Sequence, residues 1–222
     1  MHLGVLAAAL PLLAAAWQGR RYRAGVWVLL VSGLSLAGDA LGLYLAVRGR
    51  NNHVLAYLLG PLFFAAMLMA LAERQHRRDA LVAIRIVAGL LLVASMILAF
   101  TSESLGNFSQ FVIPLGALLV LGTAVWMLVQ GGLGKGYHRL TGPDWFWIPA
   151  GFALYGAVTA AYFPLVAVFV ENDRHLVDVV LQLKAVSVVI AFCLVAWGVL
   201  CQGRVAGSGR SSWSSSSPSP SS

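Results

Sequence analysis

The sequence predicts an all-α, polytopic membrane protein: a seven-transmembrane-helix bundle with its N-terminus outside and its C-terminus cytoplasmic. Three observations predict it. Of 222 residues, 59% are hydrophobic and only 10% charged, against about 25% charged in a soluble domain, and the mean hydropathy is +0.82. The apolar residues fall into seven successive runs. The Lys and Arg residues outside those runs alternate between dense and sparse from one connection to the next.

The first run, Leu3–Trp17, is short. No Lys or Arg precedes it, and Arg20, Arg21 and Arg23 follow it, the reverse of the charged start of a secretory leader. Ala14-Ala15-Ala16 keeps a cleaved signal peptide as the alternative. The second run, Val26–Val47, holds one formal charge, Asp39. Its length suits a bilayer, because about 20 residues at 1.5 Å rise cross about 30 Å of hydrocarbon. The third is Val54–Ala72. The fourth, Leu81–Phe100, carries Arg85 near its start, where a long side chain reaches back to the interface. The fifth is Gln110–Gln130. The sixth, Trp145–Val170, opens on Trp145-Phe146-Trp147, an aromatic anchor of the kind found at headgroup level. The seventh, Val177–Cys201, carries Lys184. Residues 1–202 therefore read as one transmembrane domain. Gly203–Ser222, Ser-rich with Pro218 and Pro220, reads as a disordered cytoplasmic tail that cannot bury a core.

Orientation follows from the connections. Arg20, Arg21, Arg23, Arg74, Arg77, Arg78, Lys135, Arg139, Arg204 and Arg210 fall on one side, and Arg48, Arg50 and Arg174 on the other. Basic residues are retained in the cytoplasm. A net charge of +7 distributed in this way marks topology and lipid contact rather than nucleic-acid binding. Membrane lipids are the expected partners. The expected location is a bacterial cytoplasmic (inner) membrane.

Cys193 and Cys201, the only cysteines, lie about 12 Å apart along one helix, too far for a disulfide within the chain. His53, His76, His138 and His175 show no metal-ligand spacing, and His2 is terminal; neither a metal nor another cofactor is expected.

The candidate site begins with the two charges. A carboxylate deep in a span costs roughly 2.5–3.5 kcal/mol unless it faces the interior and finds a partner. Asp39 lies about 12 Å and Lys184 about 10 Å below the outer ends of their runs, so the two are expected to meet, directly or through water. Ser32, Ser35 and Asp39 share a helix face, as do Asp178 and Gln182, and as do Tyr155, Thr159 and Tyr162. Pro61, Pro114 and Pro164 fall in the outer halves of their spans, where freed carbonyls are tolerated around a cavity. Together these residues outline an outward-facing polar pocket for a small amphipathic ligand; the alternative is that they glue helices together. Gly33, Gly38 and Gly42 read as helix-packing positions.

Four resemblances bear on function. Thr141–Tyr155, TGPDWFWIPAGFALY, together with Asn51-Asn52, is similar to a group of bacterial seven-span proteins with no assigned activity. Modules of that layout serve as sensor inputs. Gly38-Asp39-Ala40-Leu41 resembles the Gly-Asp motif of the lysoplasmalogenase family, eight-span hydrolases of lysolipid vinyl ethers. That likeness implies Asp39 as the catalytic carboxylate, although here the motif lies in the second of seven runs rather than in the third span. Seven spans with a lysine in the last also resemble retinal-binding rhodopsins, but Val180 stands where the microbial type has Asp. The layout is also that of seven-span sugar transporters, without their Pro-Gln dipeptide. Binding or sensing through Asp39, Lys184, Asp178, Gln182, Tyr155, Thr159 and Tyr162 is the leading expectation; a lipid hydrolase and a small-solute transporter are the alternatives.

Overall fold

The computed structural model describes residues 2–19, 25–50, 53–75, 77–101, 111–134, 143–169 and 174–208. Each apolar run becomes one helix: α1 (His2–Gln18), α2 (Val26–Val47), α3 (His53–Ala72), α4 (Arg78–Thr101), α5 (Val112–Gly134), α6 (Pro143–Phe169) and α7 (Arg174–Ser208). Five of them contain a segment long and apolar enough to cross a membrane: Val26–Val47, Arg78–Thr101, Val112–Gln130, Phe146–Val166 and His175–Cys201. α1 and α3 are apolar over the shorter stretches Leu6–Gln18 and Tyr57–Ala72.

The ends of several helices follow from local chemistry. Gly25 caps α2 at φ 78°, a left-handed conformation that glycine adopts without strain. At its other end, Gly49 (φ 64°) donates to the Ala46 carbonyl, and Arg50 N–H donates to that of Leu45. This double bond pattern is the Schellman stop, which satisfies carbonyls the helix would otherwise orphan. α4 begins at Arg78 with Asp79 in its first turn, a charge suited to the positive end of the helix dipole. α7 runs past Cys201 to Ser208, so its helix continues into the stretch read as tail; residues 209–222 lie outside the described residues.

The helices alternate in direction. We call the end at which α1, α3, α5 and α7 begin the upper end. At the lower end the Gln18 side-chain amide donates to the carbonyls of Val199 and Leu200, at 2.7 and 2.6 Å, so α1 runs parallel to α7. At the upper end Tyr57, Ala99 and Val112 pack together, joining the start of α3, the end of α4 and the start of α5. Packing neighbours form a closed circuit: α1 against α2, α2 against α3, α3 against α5, α5 against α6, α6 against α7, and α7 against α1. α4 stands outside this circuit, mainly against α3. The lower half of α3 is consequently buried almost all round, through Phe63, Phe64, Met67, Leu68 and Leu71, as expected of a helix apolar on every face.

Glycine sets the tightest approaches. A Cβ on Gly151 would meet the Ala191 carbonyl at 2.6 Å, and one on Gly156 the Ala117 carbonyl at 2.8 Å. Small residues here bring α6 close to α7 and α5, the usual device where apolar lipid offers no drive to associate. Gly33 and Gly38, read from the sequence as packing positions, have different surroundings. A Cβ on Gly33 would meet nothing within 4 Å, and one on Gly38 only Leu59, in ordinary contact at 3.5 Å.

Candidate functional site

The upper half of the circuit does not close on itself. A cavity of about 440 Å³ lies among α2, α3, α5, α6 and α7, within the range typical of small-molecule sites. α2 supplies Leu34, Ser35, Gly38, Asp39, Gly42 and Leu43; α3 supplies Leu55, Leu59, Gly60, Phe63 and Phe64; α5 supplies Ile113; α6 supplies Tyr155, Thr159 and Phe163; α7 supplies Lys184.

The wall on α2 follows from helical spacing. Ser35, Asp39 and Gly42 recur at four and three residues, and Gly38 lies beside them, so one face presents a hydroxyl, a carboxylate and two bare backbone positions. With no side chain at positions 38 and 42, that face is a shallow groove into which Asp39 projects. The floor is aromatic. Tyr155 packs on Phe63, Phe64 and Phe192, with ring centroids 5.2, 6.5 and 6.2 Å apart. Gly116 leaves room for the Phe64 ring and Gly60 for the Ile113 side chain; a Cβ at either glycine would collide. Thr159, buried on α6, lies within interaction range of the Tyr155 phenol, but its hydroxyl makes no bond of good geometry.

The two charges line the same cavity and interact electrostatically across it. The direct ion pair expected from their matching depth is not formed. The Lys184 ammonium instead sits 3.9 Å from the centroid of Tyr162 and 5.1 Å from that of Phe163, held by the negative faces of two rings that meet edge to face. Asp39 is exposed and accepts no hydrogen bond from the described residues. An aromatic seat gives an ammonium partial compensation for the water it loses on burial. The carboxylate across the cavity therefore keeps its acceptor capacity for something else.

Of the sequence candidates, Asp39, Lys184, Tyr155 and Thr159 meet at the cavity. Tyr162 stands behind Lys184 as its seat and is not in the lining. Asp178 and Gln182 do not reach the cavity; both are exposed. The reason is angular: at 100° per residue they project from other sides of α7 than Lys184 does. Of the three prolines, Pro114 lies in the first turn of α5, where it frees no carbonyl, whereas Pro61 and Pro164 are inside α3 and α6. Sequence reasoning missed Phe63, Phe64 and Phe163. Their signal was present in part, as an aromatic pair two residues past Pro61. Asn51, Asn52, Thr141 and Gly142, which carry part of one resemblance, lie outside the described residues.

No family model, no curated protein and no solved structure matches this chain.

Proposed function

We propose that this is a seven-span protein of a bacterial cytoplasmic membrane, amino terminus outside, that binds a small charged molecule in the upper cavity and reports it across the bilayer. One observation carries the reading: Asp39 and Lys184, each expensive to bury alone, face one cavity of ligand size. Opposite charges held apart within a single hollow are poised for an occupant that engages both.

The sensing part of the reading is supported by α7. This helix holds Lys184 in its upper half and continues to Ser208. That is eight residues, about 12 Å, beyond the level at which Gln18 grips it. A shift of the cavity wall on α7 is thereby carried to the opposite end of the bundle along one rigid element. The same motif around Asp39 that resembles the lysoplasmalogenase carboxylate takes the role of a binding group in this reading.

The test is thermal unfolding of the purified full chain against a panel of charged solutes, with Asp39→Asn and Lys184→Met in parallel. A ligand at 100 times its dissociation constant stabilises by about 2.7 kcal/mol. The reading predicts at least one solute that raises the unfolding temperature of the native chain and of neither variant. Stabilisation that is unchanged in both variants would remove the site from the account.

A further inference from the structure

The cavity is layered. Its lining reaches upward to Leu43 and Leu55, each within about one turn of the upper end of its helix. Beneath it the core is closed, with Met67, Leu68 and Phe152 fully buried. The two charges occupy the upper tier. Asp39 stands beside Gly38, whose Cβ would meet Leu59, and the Lys184 ammonium lies over Tyr162 and Phe163. The aromatic floor is deeper. Phe63 lies one turn below Leu59 on α3, about 6 Å, and Tyr155 lies two turns below Tyr162 on α6, about 10 Å. Between the tiers Thr159, only 2% exposed, lines the cavity. Its hydroxyl has no hydrogen-bond partner of good geometry among the described residues. A pair of opposite charges therefore stands above a socket of rings, at a separation that one side chain can span.

We propose that the cavity takes a free α-amino acid with an aromatic side chain, held with its charged head in the upper tier and its ring on the floor. Its ammonium meets Asp39, its carboxylate meets Lys184, and its ring packs on Phe63 and Tyr155. This inference rests on the binding role proposed above and adds to it the class of ligand. Three features select the class. The cavity holds one formal charge of each sign, so an occupant with both is neutralised at both, whereas a singly charged one leaves a protein charge unmatched. The floor is built of rings, and a ring set against them gains more than the area it buries, because offset and edge-to-face pairs attract. The Thr159 hydroxyl, buried without a bond, is costly as it stands, and an acceptor brought to its depth by the ligand relieves that cost.

The full chain is placed in nanodiscs of an uncharged glycolipid, with empty nanodiscs as the blank. Four radiolabelled probes are titrated by equilibrium dialysis. Phenylalanine carries both charges and a ring; phenethylamine and 3-phenylpropionate carry a ring and one charge each; glycine carries both charges and no ring. The expected result is saturable binding of phenylalanine, about tenfold or more tighter than any of the others, and weakened by a similar factor in Asp39→Asn and Lys184→Met. A second measurement needs no variant: 4-azidophenylalanine, photolysed on the native chain, is expected to label the peptides holding Phe63 and Tyr155, and excess phenylalanine to suppress that labelling. Equal binding of glycine, equal binding of a singly charged probe, or labelling confined to other peptides would overturn the inference. In the first two cases, loss of binding in the variants would leave the binding role standing. Binding of every probe at the level of the empty discs would also overturn the inference, and the thermal panel of other charged solutes then decides the binding role by itself.

Discussion

At the scale of single residues, the cavity is governed by how Lys184 is held. Its ammonium lies over the Tyr162 and Phe163 rings, so the ring faces, more than the phenol of Tyr162, keep the charge in place. Tyr162→Leu is therefore expected to lower stability by about 0.5–2 kcal/mol, the worth of a cation–π contact. Tyr162→Phe, which keeps a ring there, is expected to lose less, and the thermal midpoints of the two variants in one detergent make the comparison. A smaller effect belongs to the stop of α2. Gly49→Ala places a side chain at φ 64° and should cost about 1 kcal/mol without altering ligand binding, since Gly49 lies beyond the cavity wall. That Asp39 and Lys184 would stand level with one another was legible in the sequence, because rise per residue converts position in an apolar run into height along the bundle, and both line one cavity. Which rings would seat Lys184 was not. Tyr162 and Lys184 lie on neighbouring helices, and their contact depends on the rotation of α6 against α7, which periodicity does not specify.

At the scale of elements, α6 is the helix that the cavity depends on. Gly151 faces the backbone of α7 and Gly156 that of α5, and a backbone atom cannot yield as a flexible side chain can. Gly151→Ala and Gly156→Ala should each separate a helix pair and lower stability by about 1–3 kcal/mol, the usual range for overpacking. Gly33→Ala, where a Cβ meets nothing within 4 Å, should be neutral or slightly stabilising because alanine favours the helix. Parallel thermal melts of the three variants test this ranking. The helices themselves were legible as apolar runs, and α2 matches its run from Val26 to Val47. The roles of the glycines were not. Gly33, Gly38 and Gly42 carry a small-residue spacing, yet the close approaches fall at Gly60, Gly116, Gly151, Gly156 and Gly198, because spacing on one helix says nothing about which helix stands opposite it. Asp178 and Gln182 differ in this respect: helical spacing alone puts Lys184 off the face they share, and of the three only Lys184 lines the cavity.

At the scale of the whole molecule, the up-and-down order of seven helices fits the alternation of Lys and Arg between connections. The proposed orientation predicts that alkaline phosphatase fused after residue 50 or residue 105 is active in intact bacteria, and that the enzyme fused after residue 75 or residue 208 is inactive. Green fluorescent protein at those same positions should show the reverse pattern, and activity on both sides would contradict the orientation. The position of α4 outside the circuit could not be read from the chain, since its apolar run resembles the others; only the packing of α3 directly against α5 displaces it. That displacement leaves α2, α3, α5, α6 and α7 to surround the charged cavity.

The central claim is that Asp39 and Lys184 answer one another within a shared hollow, and a double-mutant cycle tests it most directly. Unfolding free energies are measured in one membrane mimetic for the native chain, Asp39→Asn, Lys184→Met and the double variant. A lone charge left in an apolar wall is costly, whereas removing both relieves that cost. The account predicts that each single variant is less stable than the native chain, that the double variant recovers much of the loss, and that the coupling is about 1–3 kcal/mol. Losses that simply add, with coupling within about 0.5 kcal/mol of zero, would contradict it.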